Sequence, residues 1–304
     1  MDNNEPIMVS IKCLVYNHAP YLRQCLDGFV MQKTSFRFEA IVHDDCSTDG
    51  SQEIIKEYAA KYPDIIKPIY ETENQYSKHD GSLRRAIDPH LTGKYIAFCE
   101  GDDYWTDPNK LQRQISYLNA HPEYVAIAEN GIVLDMRTKV EKPFSTAIEH
   151  NLTISELIQK RRFPTASVVY KRNIIEQDFF TLKFHVDTIM WCYIASKGTF
   201  RYLTNISSVY RKGEQGVTES TDPFLWASTV ENWNKEEIRV FGDKYDTNIS
   251  KNNIYNNYLG CTLRYIYKRH FSIGFYKCLF TTIKIKPIKT MSYFFQFACK
   301  HIMK

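Results

Sequence analysis

The stretch GKYIAFCEGDDYWTDPNKL, residues 93–111, decides how the chain is read. Its first part, Tyr95–Cys99, is short and wholly apolar, as a strand buried on both faces is. Its last part sets Asp107 as a cap and Pro108 in the first turn of a helix that repeats Leu111, Ile115 and Leu118 on one side. Between strand and helix, Glu100, Asp102 and Asp103 crowd onto one loop. Unpaired carboxylates set so close repel one another and are costly to desolvate. A divalent cation removes that cost, and one or two carboxylates with phosphate oxygens are the usual surroundings of Mg2+ or Mn2+. A surface loop with capping acids is the plainer alternative, and Asp107 suits it.

Working towards the N-terminus, residues 7–15 (IMVSIKCLV) read as a first strand, followed by a turn at Asn17–Pro20 and a helix over Tyr21–Val30. Phe38–Val42 reads as a second strand, and Ser47-Thr48-Asp49-Gly50 starts a helix carrying Ile54, Ile55, Tyr58 and Ala59. Ile65–Tyr70 supplies a third strand before the fourth at Tyr95–Cys99. Strands alternating with helices predict an α/β fold: a Rossmann-like, mainly parallel sheet flanked by helices. Such sheets bind ligands outside the carboxyl ends of their strands, which puts Asp45 and the pair Asp102/Asp103 at one edge. In HDDCSTDG, Asp44 and Asp45 are each fit to accept hydrogen bonds from a base or ribose, or to cap the next helix. Tyr16 is placed to stack on a base or to pack the rim. Beyond residue 115, Tyr124–Leu134, Ala166–Tyr170 and Phe200–Arg211 read as strands, with helices near Thr153–Arg161 and Asp187–Lys197. There is no GxGxxG and no GxxxxGK[ST], which excludes the common dinucleotide and P-loop arrangements.

At 304 residues, 43% hydrophobic and 24% charged, the chain has an enzyme-sized, globular composition. Residues 247–304 carry ten Lys/Arg and no Asp or Glu, whereas the other 246 residues hold 29 Lys/Arg against 35 Asp/Glu. The tail YIYKRHFSIGFYKCLFTTIKIKPIKTMSYFFQFACKHIMK mixes aromatics with these cations, as an interfacial membrane anchor does, or it packs its aromatics on the body. Nucleic acid is not expected as a partner, because no recognisable binding module accompanies the basic residues. Eight cysteines without a CxxC pair argue against a zinc cage and for a reducing compartment. The first residues lack a basic segment leading into an apolar stretch, and no run of about 18 apolar residues occurs. The expected location is cytoplasmic, peripheral on the inner face of the membrane.

Three segments, CLVYNHAPYLRQCLDG, FEAIVHDDCSTDGSQEII and GKYIAFCEGDDYWTDPNKL, resemble the successive signatures of family 2 glycosyltransferases with the GT-A fold. The resemblance covers roughly residues 7–215. It implies an inverting transfer of a sugar from a nucleotide diphosphate sugar, usually a UDP-sugar, in capsule, lipopolysaccharide or exopolysaccharide synthesis. It also implies that Tyr16 stacks on the nucleobase, Asp45 holds the base, and Arg84 or Arg85 lies near the base or diphosphate. Asp102 would contact ribose and metal, and Asp103, the last acid of the DxD-type signature, would ligate Mn2+ or Mg2+. Glu100 stands where that signature often begins with Asp, and Trp105 on the same loop is a further candidate.

Inversion needs a carboxylate that takes the proton of the acceptor hydroxyl, and family members place it at the start of a helix in the second half. FHVDTIMWCYIASKG matches through Asp187, which is equally suited to capping that helix. In SVYRKGEQGVT, resembling the family's closing segment, Arg211 would reach the diphosphate unless it belongs to a basic surface loop. QKRRF at Gln159–Phe163 is unlike the processive QxxRW motif, because it precedes Asp187 and ends in Phe. A non-processive transfer to a saccharide hydroxyl follows, with a polyprenyl-linked acceptor suggested by the tail. The expected division is a GT-A domain over 1–220, with a nucleotide-sugar half to about 115 and an acceptor half beyond, then a helical C-terminal region over 221–304. A nucleotidyltransferase would show a Gly-rich basic loop after the first strand, where this chain has YNHAPYL. A scaffold without activity would have lost the acids, which are present here.

Overall fold

The computed structural model describes residues 5–78, 80–213 and 221–301, with side chains as far as residue 296. The chain divides into two compact units. The first holds the described residues up to Thr153 together with Arg161–Thr181 and Tyr193–Gly213. It is built on one sheet with strand order β3-β2-β1-β4-β9-β6-β10-β5. Strands β1 (Val9–Val15), β2 (Phe38–Asp44), β3 (Ile66–Tyr70) and β4 (Tyr95–Phe98) all run parallel. β1, β2 and β4 are buried on both faces; β4 is wholly apolar, whereas β1 buries Ser10 and Lys12 and β2 buries Glu39, His43 and Asp44 among its apolar residues. Helix α1 (Ala19–Val30) buries Leu22, Leu26 and Phe29. It begins two residues before the predicted start because Pro20 has the backbone angle of a first turn. Helices α2 (Ser51–Lys61) and α3 (Ser82–Ile87) precede β3 and β4, and α4 (Lys110–Ala120) buries Leu111, Ile115 and Leu118.

The rest of the sheet is mixed. β5 (Tyr104–Trp105) and β10 (Thr199–Lys212) pair antiparallel, β6 (Tyr124–Asp135) and β10 pair parallel, and β9 (Val169–Lys171) inserts antiparallel between β4 and β6. Short strands β7 (Glu141–Pro143) and β8 (His150–Leu152) pair with β6 and β10. The strand predicted over Ala166–Tyr170 is a 3-10 turn at Thr165–Ser167 and then β9, since the Ser167 hydroxyl and amide both bond back to the Pro164 carbonyl. These elements reproduce the α/β, GT-A type of architecture expected from the sequence.

The second unit consists of α5 (Ile154–Gln159) with Lys160, residues Leu182–Cys192, and the described residues after Gly213. Helix α6 (Asp187–Lys197) starts in this unit and ends in the first. Four helices follow: α7 (Pro223–Phe241), α8 (Asn248–Tyr267), α9 (Ile273–Ile285) and α10 (Pro287–His301). Asp222 caps α7 through Oδ1, which accepts from the Phe224 and Leu225 amides, while Oδ2 accepts from the Tyr265 hydroxyl at 2.7 Å. Tyr265 with Ala227, Ile254, Tyr258, Phe275 and Cys278 forms this unit's core. Among the described residues no helix is long and apolar enough to cross a membrane.

Burial pushes the Glu237 carboxyl of α7 up to about 7, although the Ser250 hydroxyl donates to it at 3.0 Å. Burial and then the Glu237 charge raise the Cys192 thiol, and burial with that charge among its causes raises the Tyr245 hydroxyl. The folded carboxyl therefore keeps its proton where the unfolded one has lost it, so this group lowers stability as pH rises from about 4.5 to 7. Glu237→Gln is expected to raise stability at pH 8 by about 2 kcal/mol and by much less at pH 5. Denaturant unfolding at both pH values checks this, and an equal gain at the two would contradict it.

Candidate active site

Because β1, β2 and β4 are parallel, the segments that follow them leave the sheet at the same edge. Two turns there use left-handed backbone, at Asn17 (φ 56°) and Cys46 (φ 65°). The turns are laced together. The Asn17 amide donates to Ser47 Oγ at 2.9 Å, the Thr48 amide to Asn17 Oδ1 at 2.8 Å, and the Ala19 amide to Asp49 Oδ2 at 2.9 Å. Tyr16 stands at this edge with 48% of its surface exposed, as a ring able to stack on a flat ligand would. Asp45 is buried and its two oxygens accept from the Gln75 and Tyr76 amides at 2.6 and 3.0 Å. Its neighbour Asp44 is also buried. Its Oδ2 accepts from Gln52 at 2.8 Å and from the Ser47 amide at 3.1 Å, while Oδ1 has no partner among the described residues.

The third segment carries the acids. Its Gly101 lies so close to the first turn that a Cβ would stand 2.8 Å from His18 Nδ1. Burial lowers the His18 pKa and outweighs the opposing pull of Asp102, Asp49 and Asp44. Burial, then the like charges of Asp102 and Glu100, push the Asp103 carboxyl well above the usual carboxylate range. Its Oδ1 accepts from the Arg211 amide at 2.9 Å. The Arg211 guanidinium lies 4.3 Å from the ring centre of Tyr104 and 5.1 Å from that of Tyr21, and it donates to the Asp102 carbonyl at 2.6 Å and to Gln24. A buried carboxylate beside two others, held by one backbone amide, suits a divalent cation, which would offset the repulsion that burial magnifies. Among the described residues no three His, Cys, Asp or Glu side chains converge as a ligand cage.

Several sequence candidates occupy different surroundings from those the motifs suggested. Trp105 is a core residue, because β5 pairs with β10 and turns the indole inward, where Nε1 donates to the Ala166 carbonyl at 2.7 Å. Arg84 bonds to Asp88, which also binds Lys12 at 2.6 Å, and its guanidinium lies against Phe179 and Phe180. Arg85 is exposed and binds the Asp80 carbonyl at 2.8 Å. Arg211 is buried as a strut of the acid loop, and the segment after it, 214–218, lies outside the described residues. His18, two residues after Tyr16 in YNHAPYL, packs under the acid loop at this edge.

Asp187 occupies the first turn of α6, in the second unit. Asp178, the other carboxylate nearby in sequence, is committed elsewhere: it accepts from the Tyr193 hydroxyl and from Lys197 at 3.0 Å, contacts that hold its pKa below the usual range. Phe163, the last residue of QKRRF, is buried against Phe200 at 5.5 Å between ring centres.

The family model described as glycosyl transferase family 2 matches residues 10–180. The chain belongs to glycosyl transferase family 2. An uncharacterized protein of Mycobacterium tuberculosis is 34% identical to this family 2 chain over 215 residues, covering 70% of this chain and 61% of that protein. The chain thus spans less than two thirds of that relative's length. The UDP-Glc:alpha-D-GlcNAc-diphosphoundecaprenol beta-1,3-glucosyltransferase WfaP of Escherichia coli is 25% identical over 209 residues, covering 69% of this chain and 78% of that enzyme. Among solved structures, S. aureus TarS 1-349 in complex with UDP-GlcNAc superposes with a TM-score of 0.66 at 16% identity, covering 93% of this chain and 83% of that one. That likeness establishes a shared GT-A fold.

Proposed function

We propose that this family 2 member is an inverting, non-processive glycosyltransferase that moves a sugar from a UDP-sugar to a hydroxyl of a saccharide acceptor in surface polysaccharide synthesis. The observation that carries the reading is the edge where Tyr16, Asp45 and the Asp102–Asp103 loop meet at the carboxyl ends of parallel strands. Tyr16 stacks on the uracil, and the loop that Asp45 pins through residues 75–76 closes the base pocket. Asp103 and Asp102 would hold Mn2+ or Mg2+, which would supply positive charge against that of the diphosphate. Arg211 keeps the acid loop in shape through its bond to the Asp102 carbonyl. Asp187 accepts the acceptor hydroxyl's proton as the new oxygen–carbon bond forms at the anomeric centre. The bond to the diphosphate breaks on the opposite face, and UDP leaves. A screen of UDP- and GDP-sugars with Mn2+ and saccharide acceptors tests this. Release of UDP that depends on an acceptor is expected, and release of nucleotide from no donor would contradict it.

A polyprenyl-linked acceptor at an anionic membrane surface agrees with the C-terminal helices. On α9, Ile273, Tyr276, Phe280 and Ile283 recur at helical spacing and are exposed, while Phe275, Cys278 and Thr282 bury the opposite side. Ile288, Met291 and Phe295 do the same on α10, and Lys277 and Lys284 border the apolar face of α9. With no acidic residue after Asp246, this surface complements a negatively charged leaflet. Phe280→Asp combined with Met291→Asp is expected to weaken binding to phosphatidylglycerol vesicles at least tenfold and leave UDP binding unchanged. Unaltered vesicle binding would contradict the assignment.

A further inference from the structure

A cavity of about 220 Å3 lies within the second unit, walled by α7, α8, Ile158 and the residues on either side of Asp187, namely Val186 and Thr188. Its polar lining is built mainly of uncharged carboxamides with one carboxyl group. Asn234, Asn253 and Asn257 each donate an amide N–H to a backbone carbonyl, of Val230, Ile158 and Asn253 respectively. Each amide keeps its Oδ1 and a second N–H beyond these bonds, and Asn234 Oδ1 is buried without a partner among the described residues. Glu237 adds a carboxyl group whose Oε2 accepts from Ser250. The lining therefore offers both hydrogen-bond donors and acceptors, and among the described residues it contains no Lys or Arg.

Uncharged amides beside a carboxyl group suit hydroxyls, which both donate and accept, and a lining without Lys or Arg disfavours phosphates and carboxylates. Trp233, set edge-to-face on Trp226 with 5.6 Å between ring centres, supplies the broad apolar surface on which the C–H face of a pyranose packs. The volume equals roughly seven waters at about 30 Å3 each, which suits one sugar ring rather than a chain of several. Burial that keeps Glu237 near neutrality also lets its carboxyl donate to, or accept from, a hydroxyl without carrying a fixed charge.

We infer that this cavity is the subsite for a neutral sugar ring of the acceptor, recognised by Trp233, Asn234, Asn257 and Glu237. The inference rests on the reading of Asp187 as the base only in naming that ring as the acceptor's.

Saturation-transfer NMR on the full chain, with UDP and Mn2+ present, tests it using the methyl glycosides of glucose, galactose and N-acetylglucosamine. At least one should receive saturation from the wild-type protein. That signal should fall at least tenfold in Asn257→Leu, which fills the cavity, and several-fold in Glu237→Gln. Retained UDP affinity in both variants shows that they are folded. Undiminished saturation in both, or none from the panel with the wild type, would overturn the subsite. A response to protonated glucosamine alone would also overturn it, because the carboxylate would then be reading charge. An Asp187→Asn protein that remains fully active removes the base and leaves the cavity result standing, whereas sugar binding insensitive to both cavity variants removes the cavity and leaves the base.

Discussion

Asp187→Asn is expected to bind UDP with wild-type affinity and to transfer sugar about 10²–10⁴-fold more slowly, the usual scale of general acid–base catalysis. The substitution keeps the shape of the side chain and removes its ability to take a proton. Val186 accepts the first bond of α6, from the Met190 amide, and Asp187 follows in the first turn, so Asn there gives up a charge–dipole contribution of about 0.3–1 kcal/mol and the melting temperature should move little. A residue that served only the first turn of α6 would show no such loss of turnover. Turnover and UDP titration on the same purified variant separate the two roles, and near wild-type turnover would remove Asp187 from the mechanism. Asp178 is a poor substitute, because Tyr193 and Lys197 already occupy both of its oxygens.

Asp103→Asn is expected to abolish transfer and to erase any gain in UDP affinity on adding Mn2+. The amide oxygen can still accept from the Arg211 backbone, so the loop should keep its course. Replacing a buried carboxylate set beside Asp102 and Glu100 removes like-charge repulsion, so the metal-free variant should melt at the same temperature as the parent or higher. Lost function with equal or greater stability is the signature of a site assembled against local electrostatics. Calorimetric UDP titration and thermal melting check both halves, and Mn2+-dependent tightening that survives in the variant would contradict the ligand assignment.

The parts of this fold legible in the sequence are those in which local pattern and burial agree. β1, β2 and β4 are sandwiched on both faces and rich in apolar residues, so they are legible as strands, and the parallel order places their following loops together. β5, β7 and β8 are two or three residues long and exist only because β6 and β10 offer them partners, a long-range fact without a local signature. The same distinction runs through the site. The acids and Tyr16 announce themselves by chemistry and place along the chain. The inward turn of Trp105, the packing of Gly101 on His18 and the bracing of Asp102 by Arg211, 109 residues away, depend on contacts between distant segments. Arg84 shows the limit of motif reasoning. A cation in the right loop is already engaged by Asp88 and two phenyl rings, a commitment visible only once β4 and the segment around Phe179 are folded together.

The most direct test of the account is a calorimetric titration of UDP into the full chain with and without Mn2+, repeated with Tyr16→Ala. The account predicts binding that tightens when Mn2+ is present and weakens with the loss of the Tyr16 ring at either metal condition. Failure of millimolar UDP to bind in the presence of Mn2+, or binding indifferent to both the metal and Tyr16, would contradict it.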